Sequence, residues 1–230
     1  MVDAIALISG GMDSAVIAGL VAKRHHSPLF LHFNYGQKTE EKELQSFESL
    51  CRHYHIQYRQ VIHLDFFKQL GHSSLVDPEL EIPVNQTIKN NPEIPTTYVP
   101  FRNGLFLAYA VALAEVHHLS ALYIGAVEAD SSGYPDCRRK FYDGFNQALA
   151  AGTVQADIHI HTPLIGMSKS EIVGLGMRLG VPFEYTWSCY RQQDQACGVC
   201  DSCLLRRRAF KEAGVIDPIP YNSLSPSGQD

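Results

Sequence analysis

The 230-residue sequence has no surplus of basic charge: 19 Lys and Arg stand against 24 Asp and Glu, a net charge of −5. That balance argues against a general affinity for nucleic-acid phosphates or anionic membranes. Long hydrophobic runs are missing too. The longest, Leu105 to Ala114, has ten residues, about half of what a bilayer-spanning helix needs. No basic n-region precedes the first apolar stretch, so a signal peptide is not expected and the chain reads as cytoplasmic. Internal repeats, low-complexity tracts and a linker dividing the chain in two are all lacking. With 45% hydrophobic residues, a single buried core is well supplied.

An evenly spread set of cysteines is lacking too, and the placement of the six argues against a secreted disulfide framework. Cys51 and Cys137 stand alone, whereas Cys189, Cys197, Cys200 and Cys203 crowd into fifteen residues. Four thiolates at the spacing C-x7-C-x2-C-x2-C suit tetrahedral zinc and leave no open coordination position, so one structural zinc per chain is expected. The rival is an iron–sulfur cluster. The bacterial ferredoxin run, however, continues with x3-C-P, and here Leu204 follows Cys203. The Arg206-Arg207-Arg208 triplet just beyond reads as a solvated helix face favoured by the helix dipole.

Strand and helix signals alternate along the chain. The segments Ala4–Ile8, Leu29–Phe33, Gln57–Leu64, Ala121–Val127 and Ile158–Thr162 read as five strands, the first two as apolar runs. Helices are expected from Ser14 to Arg24, after a capping Thr39 as far as His55, after a capping Asn103, and from the capping box Ser168-Lys169-Ser170-Glu171. The helix after Asn103 is apolar on nearly every face and reads as fully buried. This order gives an α/β fold: an open parallel sheet with helices on both faces and a small C-terminal metal-binding segment. One domain is expected over 1–214, with 215–230 as a poorly ordered tail. From His72 to Pro100 there is no sustained period and five prolines occur. Such a stretch is usually a lid, a binding loop or an interface arm.

Two familiar phosphate motifs are absent. There is no GxxxxGK[ST] and no GxGxxG at the first strand–helix junction, where Ser9-Gly10-Gly11-Met12-Asp13-Ser14 stands instead. Two glycines let backbone approach an anion, the following helix N-terminus offers free N–H groups, and Ser9 and Ser14 add hydroxyls. Asp13 would repel phosphates unless a cation lay between, so it implies magnesium.

These residues resemble the PP-loop, SGGxDS, of the ATP pyrophosphatase superfamily. Asn34-Tyr35-Gly36-Gln37, Val99-Pro100-Phe101-Arg102-Asn103, Gly133-Tyr134-Pro135-Asp136-Cys137-Arg138, Trp187-Ser188-Cys189-Tyr190 and Cys197-Gly198-Val199-Cys200-Asp201-Ser202-Cys203 narrow it. With them the chain resembles the 7-cyano-7-deazaguanine synthase (QueC) family from residue 4 to about 214. Where that family commonly shows two threonines after the loop serine, Ala15 and Val16 stand here. The resemblance implies a ligase that turns 7-carboxy-7-deazaguanine and ammonia into the nitrile with two ATP, through adenylated acid and amide. It implies ATP contacts over Ile8, Ser9, Gly10, Gly11, Met12, Asp13, Ser14, Ala15, Val16, Ile17 and Ala18, and a homodimer.

For the base, one of Glu128, Asp130 and Asp136 is the expected reader of a guanine-like edge. Arg102, Arg138 or Lys169 is expected to hold the substrate carboxylate or pyrophosphate, with Tyr134 beside them. Cys137 has no evident histidine partner and reads as a packed small residue. His159 and His161 share a strand face without two further ligands. Two other enzymatic readings stand: a tRNA-thiolation enzyme of the same superfamily, which calls for a basic face and a free cysteine pair, and a deazapurine relative that stops at the amide. A zinc-bearing module with a vestigial loop is disfavoured by the intact Ser9, Gly10, Gly11, Asp13 and Ser14.

Overall fold

The computed structural model describes residues 1–85, 94–128, 133–155 and 157–222. Its sheet contains β1 (Ala4–Leu7), β2 (Pro28–Asn34), β3 (Tyr58–His63), β4 (Ala121–Ile124) and β5 (His159–His161). They run parallel in the order β3-β2-β1-β4-β5. The helices are α1 (Met12–Arg24), α2 (Glu40–His53), α3 (Phe66–Leu70), α4 (Arg102–His117), α5 (Arg139–Gly152), α6 (Lys169–Leu179) and α7 (Asp201–Glu212).

The period-2 alternation of the central strands assigns side chains to two cores. Ala4, Ala6 and Ile8 face α1, α2, α6 and α7, while Ile5 and Leu7 face α4 and α5. Both faces are covered, as an all-parallel sheet requires. The chain winds outward from β1 to β3, then returns to place β4 on the other side of β1. Loops therefore diverge at the carboxyl ends of β1 and β4, leaving a crevice.

Several local expectations change. β4 ends at Ile124 rather than Val127, because Gly125 passes so close to the first turn of α1 that a Cβ would lie 3.1 Å from Ser14 N. Asn103 does not cap α4; it lies inside the helix, and its backbone N–H donates to Asp136 Oδ2 (2.9 Å). Nor is α4 buried all round, since Ala108, Ala112 and Val116 form an exposed stripe. Thr39 stands at the start of α2, but its hydroxyl donates to Glu43 Oε1 (2.8 Å) instead of accepting from the helix backbone. The capping box at Ser168 forms as expected, with both reciprocal bonds present.

A third core gathers around the four cysteines. Leu75, Val76, Ile82 and Val99 of the proline-rich segment pack there with Trp187, Ala196 and Ile219. Asn85 N donates to the Val199 carbonyl (2.8 Å) and Lys38 N to the Leu75 carbonyl (3.0 Å), so the described part of 72–100 is fastened to its own chain. The chain past Gly214, expected as a tail, is packed as far as Asn222: Ala196 N donates to Pro220 O, and Asn222 N to Ala196 O, both at 2.9 Å.

Asp217 is the reason. It receives Arg206 Nε and Nη2 at 2.8 and 2.9 Å, and Arg206 is only 1% exposed. The triplet is therefore not a solvated face. Arg206 is buried, Arg207 lies over the Tyr221 ring at 5.5 Å, and Arg208 is exposed beside Glu212. Among the described residues, no helix is long and apolar enough to cross a membrane. Asp217→Ala strands a buried guanidinium and is expected to cost about 3 kcal/mol in urea unfolding. Glu212→Ala, in an exposed pair, should cost less than about 0.5 kcal/mol. A loss below about 1 kcal/mol for Asp217→Ala would contradict this account.

Candidate active site

A cavity of about 270 Å³ opens at the crevice between the ends of β1 and β4. Its floor is the loop Ser9–Ser14. Gly10 turns with φ +88°, and a Cβ there would sit 2.6 Å from the Glu43 carbonyl oxygen and 2.8 Å from Ser46 Cβ. Only glycine fits that turn. The Ser14 hydroxyl donates to the Gly11 carbonyl (2.9 Å), Ser9 Oγ donates to Ser14 Oγ (3.1 Å), and Gly11 N donates to Ser9 Oγ (3.3 Å). Just upstream, buried His32 donates from Nδ1 to the Ile8 carbonyl (2.9 Å), fixing the end of β1. The loop is thus braced from inside, with the N-terminus of α1 behind it as an anion site.

Of the loop residues named from sequence, Ile8, Ser9, Gly11, Met12, Asp13 and Ser14 line the cavity. Gly10 shapes the turn, while Ala15, Val16, Ile17 and Ala18 are 0% exposed and belong to the core. The two hydroxyls missing at Ala15 and Val16 therefore remove no donor from the cavity wall.

Arg102, Tyr134 and Lys169 also line it. Lys169 Nζ lies 2.5 Å from Asp13 Oδ2, joining the start of α6 to the start of α1. The other Asp13 oxygen, Oδ1, is buried and has no hydrogen-bond partner among the described residues. A carboxylate with one oxygen held by lysine and the other unsatisfied suits a divalent cation. Arg102 Nη1 donates to the Tyr35 hydroxyl (2.7 Å), and its guanidinium lies 5.3 Å from the Tyr35 ring centre. Burial pushes the Tyr35 phenol up to about 12, so it stays neutral.

The carboxylates divide. Asp136 is 3% exposed and holds the N-terminus of α4 through Asn103, with burial raising its pKa. Glu128 accepts from Arg139 N (3.2 Å) at the start of α5. Arg138 is exposed and precedes α5. None of these three lines the cavity, and Asp130 lies outside the described residues. Cys137 does line it, but burial pushes its thiol up to about 11, so it is not a ready nucleophile.

Tyr35, Glu43, Asn103, Phe106, Trp187, Tyr190 and Arg206 are also among the lining residues. Most lie in or beside motifs already quoted, but sequence alone did not separate cavity-facing from core-facing members. Trp187 N donates to the Gly10 carbonyl (2.9 Å), so the stretch leading into the cysteines forms one wall.

Beside that wall the four Sγ atoms of Cys189, Cys197, Cys200 and Cys203 lie within 4.8 Å of one another, all buried. A tetrahedron with ~2.3 Å metal–sulfur bonds has edges of roughly 3.8 Å, so the four fit one ion with small adjustment. Backbone N–H groups of Cys197 and Arg191 donate to Cys189 Sγ, and that of Cys200 to Cys197 Sγ. Such bonds suit thiolate ligands. The cluster could hold a metal ion, and it supports the cavity wall rather than opening onto it.

Comparison with known proteins agrees with this layout. The family model described as queuosine biosynthesis protein QueC matches residues 3–214. The chain is similar to curated 7-cyano-7-deazaguanine synthases from Chlorobium luteolum (51% identical), Koribacter versatilis (49%) and Nitratiruptor sp. (50%). These alignments cover 95%, 95% and 96% of this chain and 96%, 92% and 99% of the relatives. The family match runs over residues 3–214, a span that includes the cavity and the cysteine cluster, and the chain belongs to the QueC family.

Proposed function

We propose that this chain is an ATP-dependent ligase that converts 7-carboxy-7-deazaguanine and ammonia into 7-cyano-7-deazaguanine, in queuosine precursor biosynthesis. What carries the reading is near-full-length identity of about one half to relatives bearing that enzyme name. A cytoplasmic homodimer goes with it, in which the apolar stripe of α4 is available for contact.

A carboxylate is a poor electrophile, so ATP must first adenylate it; ammonia then displaces AMP to give the amide. A second adenylation on the amide oxygen supplies a new leaving group, and loss of AMP gives the nitrile. In this reading the Ser9–Ser14 loop and the N-terminus of α1 hold the triphosphate. Asp13 would hold the magnesium that accompanies ATP, and the ion would offset phosphate charge. Lys169, released from its close pairing with Asp13, reaches the pyrophosphate. Arg102 holds the substrate carboxylate against the α-phosphate, positioned by Tyr35. Tyr35, Phe106, Tyr134 and Tyr190 keep water from the adenylates, which would otherwise hydrolyse. The four cysteines would hold one structural zinc, outside the chemistry.

Mass spectrometry after incubation with ATP, ammonium and the acid should find the nitrile; absence of any ATP-dependent product sinks the reading. Asp13→Asn should keep the fold by circular dichroism and slow AMP release about 100-fold or more. AMP release near the unmutated rate would remove Asp13 from the machinery.

The zinc assignment predicts a colourless protein with one zinc per chain. Cys200→Ser should lose the metal and unfold at lower temperature, because a structural ion contributes folding energy directly. A brown protein that contains iron would establish the iron–sulfur alternative.

A further inference from the structure

One ionisable group on the cavity has no part in the adenylation steps. Glu43 sits one turn into α2, with its backbone carbonyl against the first glycine of the phosphate loop. Its residue lines the same cavity as Asp13, Arg102 and Lys169. Two neutral donors hold its carboxylate in place: Thr39 Oγ1 donates to Oε1 (2.8 Å) and Gln37 Nε2 to Oε2 (3.1 Å). Gln37 is itself oriented, since its Oε1 accepts from Tyr35 N (2.9 Å). No lysine, arginine or histidine forms an ion pair with Glu43 among the described residues.

A carboxylate so placed is costly as an anion unless it takes up a proton or meets a cation. Lys42, the basic residue next to it in sequence, is turned away and lies over the Trp187 ring at 4.9 Å. The charged groups that act on Glu43 are Arg102, which favours its anion, and Glu40 on its own helix, which opposes it; the neutral Tyr35 phenol also faces it. Burial outweighs the two hydrogen bonds and the arginine, and pushes the carboxyl up to about 7. A group so poised both accepts and releases a proton near neutrality.

The proposed reaction needs a small cation at this place. Ammonia in neutral water is mostly ammonium, which has no lone pair to attack with. We propose that Glu43 is the ammonium-binding group of the cavity and takes the proton that frees the nucleophile. Ammonium gives one proton to the Glu43 carboxylate and becomes ammonia. Its lone pair forms the C–N bond to the acyl carbon; the C–O bond to AMP breaks, and AMP leaves with that electron pair. The surplus proton on nitrogen passes to AMP or water, which gives the neutral amide. Arg102 and Glu43 thus divide the cavity by charge: the electrophile's anionic end goes to the arginine, and the nucleophile's cationic form to the glutamate.

This inference rests on the ligase reading, and the test separates the two. Wild-type protein that makes neither amide nor nitrile from the acid refutes the reading itself. Given that activity, Glu43→Gln should raise the KM for ammonium about tenfold or more while the KM for ATP stays within about twofold. Hydroxylamine, already neutral at pH 7, should restore AMP release on the acid to within about threefold of wild type. Nitrile formation from supplied amide, which consumes no ammonia, should be spared to a similar degree. Glu43→Asp, which keeps the carboxylate, should recover part of the ammonium affinity and guards against a folding defect. An unchanged ammonium KM, or an equal loss with ammonium, hydroxylamine and amide, would overturn the proposal and leave Glu43 a brace for the 35–39 loop.

Discussion

At Gly10 the backbone turns through φ +88° in a space where any Cβ would collide with the α2 backbone at Glu43. That steric constraint ties together three distant parts of the chain. α2 can close on the loop only because the side chain is missing. The Gly10 carbonyl is then free to accept from Trp187 N, which draws in the segment that carries the cysteines. Behind the turn, α1 begins with its N–H groups at the crevice where β1 and β4 part. The Ser9–Ser14 loop, the Glu43 wall and the Trp187 wall are therefore set by one backbone conformation.

The cysteine cluster contributes to function at second hand. It pins Trp187, Ser188 and Tyr190 on one side and the proline-rich segment on the other, through the pairing of Val84 with Cys200. Arg206 carries this further. Buried between Thr186, Ser188 and Asp217, it locks α7 and the following chain onto the same wall. The cysteine cluster and a buried ion pair together hold this wall in place.

Much of this was legible in the sequence because it follows from short-range rules. Short apolar runs mark the central strands, and Ser168-x-x-Glu171 marks the start of α6. SGGMDS and the cysteine spacing mark the two sites by chemistry. What was illegible depends on partners far along the chain. Nothing near Arg206 says that Asp217 will take it into the core, so a basic triplet looked solvated. Asp136 looks like a ligand-reading acid until Asn103, thirty-three residues earlier, claims it. Glu43 is one of several acids in the first turns of α2, and only the position of Gly10 and the hydrogen bonds from Gln37 and Thr39 single it out. α5 was missed although Phe141, Tyr142, Phe145 and Leu149 give it an apolar face, because Gly144 and its polar residues mask the period.

The central claim is that one cavity performs two successive activations on the same carbon, and that the amide never needs a different arrangement. In the proposed reaction both steps would place an oxygen on that carbon in line with an α-phosphate at the Asp13 loop. Counting AMP against nitrile tests this most directly. The account predicts two AMP for each nitrile formed from 7-carboxy-7-deazaguanine, and one for each formed from the amide supplied in its place. Amide accumulating as the end product, with one AMP per molecule and no nitrile under excess ATP, would contradict it.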